Sequence, residues 1–75
     1  MYKFTETIKS GDNFTPAGLI YKHGKKHGLD VLSCYGSNCL VIDGSLYGYD
    51  HYTIADNGNG TAVVTVYLAL KSRRT

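Results

Sequence analysis

His51-Tyr52-Thr53-Ile54-Ala55-Asp56, then Asn57-Gly58-Asn59-Gly60, then Thr61-Ala62-Val63-Val64-Thr65-Val66-Tyr67-Leu68-Ala69-Leu70: two β-rich runs flank a tight Asn/Gly cluster. Asn and Gly accept the positive φ that hairpin turns require, so the stretch reads as an antiparallel hairpin. Parity then assigns its faces. Ala62, Val64, Val66, Leu68 and Leu70 make one apolar side, and Tyr52 and Ile54 are its natural partners, because one face must be buried against another layer. Matching the two sets requires an odd number of loop residues, hence a bulged turn. The opposite face is expected to carry Tyr47, Tyr49, His51, Thr53, Val63, Thr65 and Tyr67.

Toward the N-terminus, Tyr2, Phe4 and Ile8 alternate with Lys3, Thr5, Thr7 and Lys9, the period of a half-buried strand. Glu6 interrupts its apolar side, which suits a sheet edge. Thr15-Pro16 resembles an N-cap followed by Pro at the first helical position, and a helix is expected from Pro16 to about His27. At about 100° per residue, Ala17, Ile20, Tyr21, Gly24 and His27 fall on one side and Lys22, Lys25 and Lys26 opposite. Gly28 is the expected stop. Leu29 to Tyr35 and Cys39 to Asp43 read as short strands about Gly36-Ser37-Asn38. Asp43-Gly44-Ser45 is a second turn, and Leu46 to Asp56 the next strand. Gly48 inside that strand signals a bulge or a close approach to the backbone. The order is β-α-β-β-β-β: an α+β domain, an antiparallel sheet of four or five strands with one helix on one face.

Composition agrees with a single small domain over 1–75. The 75 residues are 43% hydrophobic and 19% charged, with one Pro, a globular rather than a disordered profile. A net charge of +2 argues against a general polyanion binder. Met1-Tyr2-Lys3-Phe4 opens directly into the alternating strand, with neither a signal h-region nor a membrane-length apolar run, and two cysteines do not make a disulfide scaffold. A cytoplasmic protein without membrane attachment is the expectation. On that expectation, the glycosylation patterns Asn13-Phe14-Thr15 and Asn59-Gly60-Thr61 are chance matches.

Two surfaces compete as contact sites. Tyr47, Tyr49, His51 and Tyr67 would place large aromatic area and hydrogen-bonding tips on one face, suited to a protein partner or to base stacking. Cross-strand Tyr pairs also stabilise sheets without any ligand. Lys22, Lys25 and Lys26, joined by Lys71, Arg73 and Arg74 from the tail, could meet phosphates, although lysines late in a helix also complement its dipole.

His23, His27, Cys34 and Cys39 make His-x3-His-x6-Cys-x4-Cys, a full tetrahedral zinc set by composition. Cysteines in neighbouring strands differ from the tight knuckle of a zinc ribbon, so no metal and no cofactor is expected. Cys34 or Cys39 with His51, and Asp50 or Asp43 as orienting carboxylate, could form a nucleophile and base. A small sheet with one helix leaves little room for a substrate cleft, and no catalytic residue is assigned. Gly58-Asn59-Gly60 joins two strands, not a strand to a helix, so it is no phosphate loop. The expected function is non-enzymatic recognition of a larger protein or complex. Its class is that of small stoichiometric inhibitors carried by phages and mobile elements, anti-CRISPR proteins among them. Nucleic-acid binding through the basic helix and a zinc-stabilised domain are the alternatives.

Overall fold

A computed structural model describes residues 1–34 and 36–73. The elements are β1 (Tyr2–Lys9), α1 (Pro16–Lys26), β2 (Asp30–Cys34), β3 (Ser37–Ile42), β4 (Ser45–Asp56) and β5 (Thr61–Arg73). They form one antiparallel sheet in the order β1-β5-β4-β3-β2, with α1 across one face. This is the α+β architecture and element order expected, with five strands. β2 to β5 are a meander, and β1 adds to the outside of β5 as an edge. No helix among the described residues is long and apolar enough to cross a membrane.

The hairpin parity holds. Tyr52 pairs with Val66 and Ile54 with Val64, and Gly58-Asn59-Gly60 is the odd-membered loop, with Gly58 and Gly60 at φ 78° and 85°. The Asp43-Gly44 turn joins β3 and β4 with both residues at positive φ, 51° and 77°. Strand β3 starts two residues earlier than expected. Cys34 pairs with Ser37, so Ser37 and Asn38 belong to β3, and expectation and structure differ by two turn residues. Tyr35 lies outside the described residues.

Helix α1 starts where its cap chemistry puts it. Thr15 is extended, its hydroxyl accepts from Gly18 N at 3.0 Å, and Pro16 opens the first turn. It ends in a Schellman motif: Gly28, at φ 69°, donates to Lys25 O, and Leu29 donates to Gly24 O at 2.8 Å. Its buried stripe is Leu19, Ile20, His23 and Gly24. That stripe is rotated from the expected one, because Tyr21 and His27 are exposed while His23 is buried. The cause is tertiary. His23 stacks on Phe4 with ring centroids 4.0 Å apart, and its Nε2 meets the Tyr2 hydroxyl at 2.8 Å, so that nitrogen is paired inside the core.

Ile20, Leu40, Val64, Val66 and Leu68 are the largest fully buried side chains, each worth about 1.5–3 kcal/mol relative to exposure. Gly24 lets α1 approach β2 and β3: a Cβ there would lie 2.4 Å from Val31 Cγ2 and 2.8 Å from Leu40 Cδ2. The loop at 10–15 crosses the far half of the sheet, and Phe14 meets Tyr52 edge-on at 5.2 Å. The longest dimension is 45 Å, and the radius of gyration is 12.8 Å, against about 11 Å for a compact chain of this length. The excess is the β4–β5 arm, which runs past the end of β3.

Candidate functional site

The expected tyrosine face is divided by a bulge. Tyr49 pairs with Leu68 and His51 with Tyr67, leaving Asp50 as an extra residue between them. One extra residue inverts the parity of everything before it. Tyr47 and Tyr49 therefore turn to the helix side and pack against the core, where Tyr47 lies 6.1 Å from the Tyr2 ring. His51 and Tyr67 remain on the helix-free face, stacked at 4.3 Å with an interplanar angle of 6°. The four aromatics expected on one surface are thus two and two on opposite sides.

The basic surface is dispersed as well. Lys22, Lys25 and Lys26 are exposed on α1. Lys22 Nζ lies 3.7 Å from the buried Glu6, and Lys25 sits over the Tyr21 ring at 5.4 Å. Lys71 does not join them. Its stem lies on the helix-free face, with Cε 2.9 Å from where a Gly48 Cβ would be. The Arg73 side chain and Arg74 lie outside the described residues.

The histidines and cysteines are not gathered. His23 and His27 are in contact at 4.4 Å on α1, whereas Cys34 and Cys39, one to each side of the β2–β3 turn, alternate with the core residue Leu40 and face away from the helix. The sheet separates the two halves of the zinc set considered as an alternative. Burial pushes the Cys39 thiol up to about 11, a hydrogen bond with the Cys34 side chain and its charge add to this, and Lys71 opposes it. Of the nucleophile, base and carboxylate considered above, Asp50 and His51 do pair, Oδ2 to Nδ1 at 2.6 Å, both well exposed. Cys39 is 3% exposed, opposite Gly48.

What the structure does assemble is an open strand edge. β3 pairs only with Ser45 to Gly48, so from Tyr49 onward β4 has a neighbour, β5, on one side alone. Asn57 N donates to Thr61 O at 2.9 Å, which sets the phase of the ladder. Alternation then turns the N–H and C=O of His51, Thr53 and Ala55 toward β5 and those of Tyr52, Ile54 and Asp56 outward. Among the described residues, no backbone group meets that outward row. Every residue from Asp50 to Asp56 is exposed, including Tyr52 at 42% and Ile54 at 54%.

The other two edges are guarded by lysines or by shortness, whereas this one has only the Asp50 bulge and the carboxylates of Asp50 and Asp56 at its ends. The outward groups of β1 belong to Lys3, Thr5, Thr7 and Lys9, with a lysine at each end, and β2 is only five residues long. From Tyr49 to Asp56 there is neither Lys nor Pro. The sequence signal was the length of the run from Leu46 to Asp56 against the shorter Cys39 to Asp43; what it lacked was which strand lies beside which. Comparison with known proteins gives no match: no family model, no curated relative and no solved structure is similar to this chain.

Proposed function

We propose that the chain is a non-enzymatic recognition domain that takes an extended segment of a larger protein onto the free edge of β4 between Asp50 and Asp56. The observation that carries this reading is the unpaired outward row of Tyr52, Ile54 and Asp56, two of which expose large apolar side chains. Main-chain pairing supplies affinity in such a mode, and side chains at alternate positions supply selectivity. A partner strand would lay apolar residues beside Tyr52, Ile54 and Phe14 on the helix side and polar or aromatic ones beside His51 and Thr53 on the other. Asp50 and Asp56 at the ends of the edge favour a basic residue flanking the segment. They disfavour a second copy of the chain in the register that sets Tyr52 against Ile54, since Asp50 would face Asp56 twice.

A domain this small that covers a segment of a larger machine acts stoichiometrically, as an inhibitor or adaptor does. Phosphate binding by the lysines has less support, with Lys22 beside Glu6 and Lys71 on the opposite face. The test is capture from lysate of the native cell, with and without nuclease, by wild type, Ile54→Pro, Ile54→Ala and a Lys22/Lys25/Lys26→Ala variant, each checked for fold by circular dichroism. Ile54→Pro deletes an N–H that the internal ladder does not use. A protein partner retained by the lysine variant, weakened by Ile54→Ala and abolished by Ile54→Pro is the expected result. A nucleic-acid partner whose affinity falls steeply with salt and is lost in the lysine variant would refute the proposal.

A further inference from the structure

On the helix-free face, ≈ 280 Å³ of cavity lies among Cys34, Ser37, Cys39, Leu46, Gly48 and Lys71. Cys34 and Cys39 are diagonal neighbours across the β2–β3 turn, since Cys34 pairs with Ser37 and Cys39 with Leu32. Both thiols are free, lie on the same face of the hairpin and line the same cavity. Gly48 leaves the space open: a Cβ there would come within 3.2 Å of Cys39 Sγ. The Ser37 hydroxyl is buried and has no hydrogen-bond partner among the described residues.

We propose that Cys34 and Cys39 form a two-thiolate site for a soft monovalent cation, Cu(I). Thiolates select soft ions, and Cu(I) is satisfied by two of them, whereas a structural Zn(II) needs four donors. The other half of a zinc set, His23 and His27, is across the sheet. On binding, two S–H bonds break, two Cu–S bonds form and two protons leave to solvent. The bis-thiolate complex carries one negative charge, which the Lys71 ammonium neutralises. Leu46 and the Lys71 stem shield the ion from water.

The experiment is an anaerobic titration of the reduced full chain with Cu(I) held by a colorimetric chelator such as bicinchoninate, followed by X-ray absorption of the copper. The expected result is one Cu(I) per chain, two sulfur neighbours, no displacement by equimolar Zn(II), and loss of binding in Cys34→Ser and in Cys39→Ser. Lys71→Met should keep the stoichiometry and weaken binding about fivefold, the worth of one partly exposed charge pair. Should Cys39→Ser fail to fold, Cys34→Ser at the half-buried position decides alone. Failure to take copper from the chelator, copper retained by the cysteine variants, one copper per two chains, or equal competition by Zn(II) would each overturn the proposal.

Discussion

Replacing Gly24 by alanine sets two effects of known sign against each other. In a helix interior the change contributes about 1 kcal/mol of propensity. Here the new methyl would lie 2.4 Å from Val31 Cγ2 and 2.8 Å from Leu40 Cδ2, against about 3.5–4.0 Å for relaxed carbon contacts. Val31 is β-branched and stiff at χ1, and Leu40 is fully buried, so neither yields and the helix must lift from β2 and β3. Overpacking of this kind costs about 1–3 kcal/mol, and the first overlap exceeds 1 Å, which places the cost at the upper end. The net is a loss of about 2 kcal/mol, or roughly 8–16 °C in Tm for a domain of this size. Thermal and urea melts by circular dichroism measure it. Gly18→Ala is the comparison: its methyl meets only the Thr15 hydroxyl, at 3.0 Å, so its change should be far smaller. Adding Val31→Ala to Gly24→Ala should restore part of the loss, with a coupling of about 1 kcal/mol or more. A Gly24→Ala protein that melts higher than wild type would show that close helix approach is not why the glycine is there.

Two further outcomes follow from the core. Val64→Asp, at a fully buried position on the helix side, should unfold the domain, because an unpaired buried carboxylate costs several kcal/mol, while Thr65→Asp on the other face should leave a folded spectrum; the reverse pattern would mean an inverted register. His23 is held below its ordinary pKa by burial first, then by His27 and Lys26, with Glu6 opposing. The folded state therefore refuses a proton that the unfolded chain accepts from about pH 6.5 downward, so this stability is complete above that pH and is lost as pH falls toward the folded value. Melts from about pH 8 to about pH 5 should show the decline in wild type and a shallower one in His23→Gln; equal slopes would remove His23 as the cause.

Much of the fold was legible because local chemistry and global packing agree. Thr15-Pro16, Gly28, Asp43-Gly44 and the odd Gly58-Asn59-Gly60 loop each do what their backbone preferences dictate, and the alternation of Val64 and Val66 with Thr65 marks its faces directly. The helix face is not legible from periodicity, which ranks Tyr21 above His23, whereas a histidine that stacks on Phe4 and bonds the Tyr2 hydroxyl is the better buried residue. The bulge at Asp50 leaves no periodic mark, since a single unpaired residue in a strand looks like any polar position, yet it moves Tyr47 and Tyr49 to the other side of the sheet. The open edge is a property of strand order and unequal length, six residues in β3 against twelve in β4. Strand lengths are visible along a chain; which edges are left uncovered is decided only once the strands are laid side by side.

Residue-resolved amide hydrogen exchange on the purified domain tests the free edge most directly. The ladder phase predicts alternation along the β4 arm: slow exchange at His51, Thr53 and Ala55, whose N–H groups face β5, and fast exchange at Tyr52, Ile54 and Asp56, whose N–H groups face outward. Bound to its partner, the domain should protect the second set without altering the first. Uniform protection of all six in the free monomer, or no change at Tyr52, Ile54 and Asp56 on binding, would contradict the account.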